Sequence, residues 1–317
     1  MGPQLDVAPE TEGSVSNFIY RQLTFTPKVV SGVSLTGKTA LVTGANTGVG
    51  LEVSRQLLDI GVSKLILAVR NESKGQDAAT NLSQGRSLKD GTIEVWHLDL
   101  DSYDSITAFA DRAKTLNRLD ITVLNAGLVL IKNELNKNTG HDETIQVNYL
   151  STALLTVLLL PVANNVPLLP SFDEPGVGNP TGRMMVSKLL GQFFLSELAR
   201  RVPASVAVIN CATPGMVHNS EFNREVNRTL GGKIAKVFMR RIGYTSAVGA
   251  RNVTDAAVNH GEETHGQYLS TQKLKPMASI IYTEEGKKIS ERLWSETMSE
   301  LSFAKVQDIV DELSKGA

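Results

Sequence analysis

The chain has 317 residues, of which 41% are hydrophobic and 21% charged, and its formal net charge is −1 at pH 7. A near-neutral chain offers no basic field to nucleic acid or to an anionic membrane, so neither partner is expected. Its single cysteine, Cys211, excludes an intramolecular disulfide and is typical of a reducing compartment.

The N-terminal sequence predicts no targeting segment. Residues 1–18 are polar and lack the basic and apolar regions of a signal peptide. The longest apolar run, Leu154 to Val162, is far too short to span a bilayer. We therefore expect a cytoplasmic protein. Residues 1–36 show no clear period and are predicted to form an arm lying on the domain.

From Lys38 onward, short β-rich runs alternate with amphipathic stretches, a pattern typical of βαβ units around a parallel sheet. The predicted strands are Thr39–Thr43, Lys64–Val69, Thr92–His97, Asp120–Leu124, Ser205–Cys211 and Gln267–Ser270. The predicted helices are Gly50–Ile60, Glu72–Leu82, Tyr103–Leu116, His141–Leu160, Arg183–Arg201, Tyr244–Asn259 and a closing helix within Glu284–Lys315. This order predicts one doubly wound, three-layer α/β domain over residues 37–317.

One strand of the alternation is missing. A strand is due between the helix ending near Leu160 and the helix beginning near Arg183, but prolines stand at positions 161, 167, 170, 175 and 180. Proline cannot donate to a ladder, so we predict a long loop and a lost or degraded fifth strand. The strand at Ser205–Cys211 must then pair directly with the strand at Asp120–Leu124, or leave backbone groups unpaired. A segment lost by deletion or at a faulty exon boundary would account for the gap.

A glycine-rich turn follows the first strand. The run Thr43-Gly44-Ala45-Asn46-Thr47-Gly48-Val49-Gly50 leads directly into a predicted helix. Glycine allows a tight turn and close approach of the backbone to a pyrophosphate, and the helix N-terminus offers N–H groups to the anion. Because strand, turn and helix lie within a βαβ pattern, the run predicts a dinucleotide site.

The end of the second predicted strand indicates which dinucleotide. An acidic residue there bonds the ribose 2′-OH of NAD, whereas an arginine accommodates the 2′-phosphate of NADP. Arg70 follows that strand with no acid beside it in the sequence, and Lys74 is close. The sequence therefore favours NADP(H).

Taken together, these residues resemble the short-chain dehydrogenase/reductase superfamily, over a span from about Leu35 to the final helix. The glycine run fits that family's TGxxxGxG pattern. Further matches are the Asp99-Leu100 pair, the Asn125-Ala126-Gly127 motif, Asn148, Ser187-Lys188 at the end of Y-x-x-x-K, and Pro214-Gly215-Met216-Val217. The stretches LILAVRNESKG and SKLLGQFFLSELA are similar to fungal members associated with secondary-metabolite clusters.

The resemblance implies a cofactor-binding half, residues 37–130, and a catalytic and substrate half, residues 131–317. The residues it assigns to the cofactor are Thr43, Gly44, Gly48, Val49, Gly50, Arg70, Asp99, Asn125, Lys188 and Val217. In this family Asn148 and Lys188 would belong to the catalytic tetrad, with the lysine holding the nicotinamide ribose. The substrate would be a small molecule, and dimers and tetramers are common.

The sequence departs from the family at the proton donor. The family's tyrosine lies four residues before its lysine, and this chain has Met184 there. A thioether cannot donate a proton. The family's serine follows the fifth strand, and Ser171 is the only hydroxyl residue in the replacing loop before Thr181. The leading expectation is an NADP(H)-dependent oxidoreductase; the alternatives are a cofactor-binding protein without redox turnover and a non-functional truncated product.

The remaining polar candidates are weaker. The five histidines show no metal-ligand spacing, so no metal is expected. Tyr149 would point about 100° away from Asn148 on a helix and is a poor replacement donor. His218, beyond the Pro214-Gly215 pair, is the better candidate for an alternative acid. Cys211 is interpreted as a core thiol.

Overall fold

A computed structural model describes residues 7–132, 134–159, 180–220 and 239–315. Its α-helices are α1 Pro9–Glu12, α2 Val15–Thr24, α3 Gly48–Asp59, α4 Glu72–Ser83, α5 Tyr103–Ala113, α6 Glu143–Ile145, α7 Ser151–Leu158, α8 Pro180–Arg201, α9 Ser246–Val258, α10 Glu284–Glu300 and α11 Val306–Lys315. Its strands are β1 Thr39–Thr43, β2 Lys64–Val69, β3 Ile93–His97, β4 Ile121–Val123, β5 Cys211–Ala212, β6 Tyr268–Ser270 and β7 Lys273–Lys275. A π-helical turn, Gln146–Leu150, joins α6 to α7.

The central sheet is parallel and has the strand order β3-β2-β1-β4. Every residue of β1 is buried, as expected for a strand covered on both faces. One hydrophobic cluster contains Leu41 and Ile66 and the other contains Val42 and Leu67, so alternate residues of the same strands contribute to two separate cores. The sheet therefore lies between two helical layers, which confirms the doubly wound α/β prediction.

The predicted strand at Ser205–Cys211 is wrong in extent and in pairing. Only Cys211 of that range is in a strand, and β5 belongs to a second sheet of order β5-β6-β7. Among the described residues, β4 pairs with β1 alone. Just before β5, Gly266 N donates to Ile209 O at 2.7 Å. Within the described residues, the strands therefore form two separate sheets.

Other boundaries differ for local reasons. The helix predicted from His141 begins at Glu143, because Asp142 Oδ1 accepts bonds from the N–H groups of Thr144 and Ile145. The closing helix is two helices, α10 and α11, separated by a 3₁₀ turn at Ser302–Ala304. Two further 3₁₀ turns span Glu262–Thr264 and Ser279–Tyr282. The predicted loop with Ser171 lies outside the described residues.

The N-terminal arm contains α1 and α2, which the sequence did not predict, and it contacts the second half of the domain. Gln22 Oε1 accepts a hydrogen bond from Met216 N at 3.0 Å, and its Nε2 donates to Met216 O at 3.3 Å. The Tyr244 hydroxyl donates to Phe25 O. The arm therefore packs against the segment that follows β5.

Candidate functional site

The glycine turn between β1 and α3 has a backbone that requires glycine at two positions. Gly44 and Gly48 have φ of +65° and +61°, in the left-handed region. At Gly50 the constraint is space, since an added Cβ would lie 2.6 Å from Gly44 O. Thr47, which precedes α3, makes no side-chain capping bond to the helix. The first N–H groups of α3 thus point toward the turn without a side-chain acceptor from the cap, which suits an anion.

Hydrogen bonds of Thr43 and Asn125 link the ends of β1 and β4. Thr43 Oγ1 accepts hydrogen bonds from the N–H groups of Asn125 and Ala126, both at 3.0 Å. Asn125 Nδ2 donates to Thr43 O at 2.9 Å. Thr43 is buried, and Val49 is buried in the first turn of α3. These hydrogen bonds hold the ends of β1 and β4 together beside the glycine turn.

Ser220 faces the same turn and was missed by the sequence reasoning. A Cβ added to Gly48 would lie 3.4 Å from Ser220 Oγ. The preceding residue is fixed, because Asn219 Oδ1 accepts bonds from Ser246 N at 2.6 Å and Ser246 Oγ at 2.9 Å. Val217 forms a parallel bridge with Tyr244. The sequence signal that could have identified Ser220 is a hydroxyl residue six positions after Pro214.

Arg70 and Asp99 follow β2 and β3 at the carboxyl edge of the sheet. Arg70 Nη1 lies 2.8 Å from Asp101 Oδ2, although no acid stands directly beside Arg70 in the sequence. The two strands are parallel neighbours, so residues 31 positions apart meet at one edge. Asp99 Oδ1 accepts a hydrogen bond from Asp101 N at 3.1 Å. The fold thus brings to Arg70 an acid that does not stand beside it in the sequence.

Asn148 lies in the π-helical turn and is buried. Its Oδ1 accepts a hydrogen bond from Leu128 N, and its Nδ2 donates to Leu128 O, both at 2.8 Å. Nδ2 is also 3.5 Å from Ser187 Oγ on α8. Single π turns are frequent at functional sites. Here the turn directs an amide between the loop after Asn125 and the helix that carries Lys188.

Lys188 lies in α8 close to Cys211 of β5. Desolvation by surrounding protein lowers the pKa of the Lys188 ammonium, against the opposing effect of the Cys211 thiolate. Burial likewise raises the pKa of the Cys211 thiol, against the effect of Lys188. The Lys188 side chain nevertheless retains accessible surface. This placement suits a lysine that contacts a bound ligand.

Met184 lies one helical turn before Lys188, where the family pattern has tyrosine. Its carbonyl oxygen accepts a 2.7 Å hydrogen bond from Ser187 Oγ. Tyr149 does not compensate, because it packs against Phe194 with its hydroxyl 3.3 Å from Thr297 Oγ1, and burial raises its pKa. His218 remains a candidate acid, with its backbone N–H donating to Tyr244 O at 3.1 Å.

Comparison with known proteins identifies the family. The family described as "short chain dehydrogenase" matches this chain over residues 38–165. The short-chain dehydrogenase fogG of Aspergillus ruber is 41% identical, covering 99% of this chain and 100% of that protein. The short chain dehydrogenase/reductase mfmJ of Annulohypoxylon moriforme is 39% identical, covering 88% and 89%. The chain belongs to the short-chain dehydrogenase/reductase family. It is accordingly an oxidoreductase of that family, as the sequence predicted.

Solved structures show the same fold. A crystal structure of an uncharacterised protein from Mycobacterium paratuberculosis has a TM-score of 0.60 at 23% identity, covering 89% of this chain and 95% of that one. A short chain dehydrogenase from Shigella flexneri, solved as a complex with NADP, has a TM-score of 0.55 at 22% identity, covering 77% and 100%.

The alignments also bear on the segment where the fifth strand is due. The alignment with the Aspergillus ruber protein spans 349 positions, against 317 residues in this chain. The alignment with the short chain dehydrogenase virL of Hypocrea virens spans 343 positions over 99% of this chain. Both relatives therefore contain residues that this chain lacks. The family match ends at residue 165, inside the segment where the strand is due.

The described residues contain no group of three or more histidine, cysteine or carboxylate side chains placed to hold a metal ion. No helix within them has both the length and the apolar character needed to cross a membrane.

Proposed function

We propose that this protein is an NADP(H)-linked oxidoreductase that interconverts a carbonyl and an alcohol in a small, apolar metabolite of fungal secondary metabolism. The observation that carries the proposal is the glycine turn, with its two left-handed glycines and its direct entry into α3. The fungal short-chain dehydrogenases among its relatives support the reaction class. We place the protein in the cytoplasm, because a single cysteine is typical of a reducing compartment, and infer a homo-oligomer, because dimers and tetramers are common in the family.

The chain's own residues divide the binding of the dinucleotide among them. Gly44, Gly48 and the first turn of α3 would take the pyrophosphate, and Ser220 lies beside them. Arg70 would take the 2′-phosphate and Asp99 the adenine, while Lys188 would hold the nicotinamide ribose and the Val217 backbone the carboxamide. The bound cofactor supplies or accepts the hydride, and the protein supplies position and a proton.

The proposed reaction also requires a proton donor. Met184 cannot donate one, and Asn148 directs its amide to Leu128. Loss of a general acid costs about 10²–10⁴ in rate. Either His218 or solvent replaces the tyrosine, or turnover is low. Met184 therefore favours a second candidate function: a member of the family that binds the dinucleotide and a metabolite without redox turnover. The aligned lengths favour a third, a truncated product without function.

The first test is a fluorescence titration of the purified protein with NADPH and with NADH. Saturable binding that is tighter for NADPH supports the proposal, and Arg70→Ala should remove most of the difference between the cofactors. The matched control is Lys89→Ala, an exposed cation in the loop between α4 and β3. If neither dinucleotide binds, the proposed function is wrong and the truncated product is favoured.

A second test separates the enzyme from the binding protein. Hydride transfer from NADPH is measured on a panel of ketones and aldehydes with the wild-type chain and with Met184→Tyr. Turnover that rises by about 10²-fold or more in the variant supports a lost proton donor. Binding without turnover in both proteins favours the non-redox function. Sequencing the transcript across codons 160–180 shows whether the segment that the relatives contain is encoded.

A further inference from the structure

The guanidinium of Arg70 already has an anionic partner. Its Nη1 lies 2.8 Å from Asp101 Oδ2, with 54% of the Arg70 side chain and 25% of the Asp101 side chain exposed. The pair lies at the carboxyl edge of β2 and β3, beside the residues assigned to the adenosine. A 2′-phosphate that approaches Arg70 must therefore take the guanidinium from Asp101 or share it.

Asp101 is held more firmly than Arg70. Its backbone N–H donates to Asp99 Oδ1 at 3.1 Å, and its backbone oxygen accepts a hydrogen bond from Asn136 Nδ2 at 2.9 Å. Asn136 is itself buried. Arg70, by contrast, carries its charge on a long and largely exposed side chain. When a ligand phosphate competes with Asp101 for Arg70, the guanidinium moves and the Asp101 carboxylate stays in place.

A third carboxyl group reinforces the negative charge. The Glu143 side chain shares a hydrogen bond with Asp101, and burial together with the charges of Asp101 and Asp99 raises the pKa of Glu143 to about 7. At neutral pH this pair retains at least one negative charge even when a proton lies between the two groups. Among the described residues, Arg70 is the cation that forms an ion pair with this group of carboxyls, through Asp101.

We infer that Asp101 is a specificity-determining residue that opposes the 2′-phosphate of the cofactor and narrows the preference for NADPH over NADH. The Asp101 carboxylate neutralises Arg70 and repels a phosphate close to it. A carboxylate at this edge is also the group that NAD sites use to bond the ribose 2′-OH. Arg70 and Asp101 together make a site that accepts both dinucleotides. This inference rests on the proposed function, because it concerns the same dinucleotide site.

The test compares Asp101→Asn with Asp104→Asn. Asp104 is an exposed carboxylate in the first turn of α5, so its variant removes the same charge nearby without touching Arg70. Dissociation constants for NADPH and NADH are measured by fluorescence at one fixed ionic strength. Asp101→Asn is expected to bind NADPH about tenfold more tightly and NADH no more tightly, which corresponds to about 1.4 kcal/mol. Asp104→Asn is expected to change both by less than about twofold.

A pair of smaller ligands isolates the contribution of the 2′-phosphate to binding. Adenosine 2′,5′-bisphosphate and 5′-AMP differ only in the 2′-phosphate, and Asp101→Asn should tighten the first alone. Asp101→Ser is a second variant, in case the amide introduced by Asp101→Asn disturbs Glu143. Its melting curve shows whether the fold is retained. Unchanged cofactor preference in both variants overturns the inference while leaving the proposed function intact. Weaker NADPH binding overturns it also, because Asp101 would then orient Arg70 toward the phosphate. A wild-type chain that binds neither dinucleotide overturns both.

Discussion

The side-chain amide of Asn148 makes two 2.8 Å hydrogen bonds with the backbone of Leu128, one as acceptor and one as donor. A side chain paired in this way imitates a neighbouring strand for one residue of the loop that follows Asn125. The family motifs suggested a residue of the catalytic machinery. The contacts show a positioning residue that links this loop to the π-helical turn and, through Ser187, to α8.

Replacing Asn148 should therefore lower stability as well as any activity. Asn148→Ala leaves the N–H and C=O of Leu128 without this partner, and a lost buried hydrogen bond leaves a cost of about 1–3 kcal/mol. Urea denaturation measures the free energy of unfolding. Asn138→Ala, at an exposed loop position, serves as the control and should change stability by less than about 0.5 kcal/mol. Equal stability of the two variants would contradict the structural role of Asn148.

Gly50 should tolerate no side chain. A Cβ at this position would lie 2.5 Å from Asn125 Nδ2 and 2.6 Å from Gly44 O, so Gly50→Ala must displace the turn. Overpacking of this kind costs about 1–3 kcal/mol. We expect dinucleotide affinity, measured by fluorescence titration, to fall more than about tenfold as the α3 N-terminus shifts.

The control for Gly50 is another helical glycine. An added Cβ at Gly191 in α8 meets nothing within 4 Å. Gly191→Ala should therefore keep affinity and raise stability by roughly 0.5–1 kcal/mol, since alanine lowers the entropy of the unfolded chain. If Gly50→Ala binds the dinucleotide as the wild type does, Gly50 has no role in shaping the turn.

The parts of the fold that the sequence predicted are those set by local pattern. Strands β1 and β2 were placed at their observed bounds, because continuous apolar runs flanked by turn residues mark buried parallel strands. The glycine turn was recognised because its glycine run lies directly between a predicted strand and a predicted helix. The sequence singled out Thr43 and Asn125, but the pattern could not show that they bond to each other.

What the sequence did not predict depends on distant partners. Arg70 and Asp101 are 31 positions apart, and Gln22 and Met216 are 194 apart. No periodicity records such pairs. The strand predicted at Ser205–Cys211 was wrong in extent because a β-strand requires neighbours: its residues are suited to a sheet, but within the described residues only Cys211 of that range pairs in one. The loss of a fifth strand, inferred from the prolines, stays a prediction, since residues 160–179 lie outside the described ranges.

The N-terminal arm should support the segment after β5. Gln22 is buried and bonds both backbone groups of Met216, so Gln22→Ala removes two hydrogen bonds between α2 and that segment. At roughly 0.5–1.5 kcal/mol each, the loss should raise the susceptibility of the arm to limited proteolysis and lower the melting temperature. Gln76→Ala, an exposed helical glutamine in α4, is the control. Equal proteolysis of wild type and Gln22→Ala would show that the arm is held by other contacts.

Glu143 should make stability fall as pH rises toward neutrality. Burial, together with Asp101 and Asp99, raises its pKa to about 7 from the ordinary value of 4.5. Below the unfolded value the carboxyl is neutral in both states and its contribution is fully present. As pH rises through about 7, the folded protein must ionise a group that the unfolded chain ionised earlier, so that contribution is lost. Because the carboxyl is partly exposed, solvent screening reduces the effect to about 1–2 kcal/mol.

Glu143→Gln tests this linkage directly. The amide cannot ionise, so the variant should lose the decline in unfolding free energy between about pH 4.5 and pH 7.5 and should be the more stable protein at pH 8. The measurement is urea denaturation at half-unit pH intervals. The exposed Glu285→Gln in α10 removes a carboxyl of the same type and should follow the wild-type curve. A Glu143→Gln curve parallel to that of the wild type would mean that Glu143 and Asp101 do not share a proton in the folded protein.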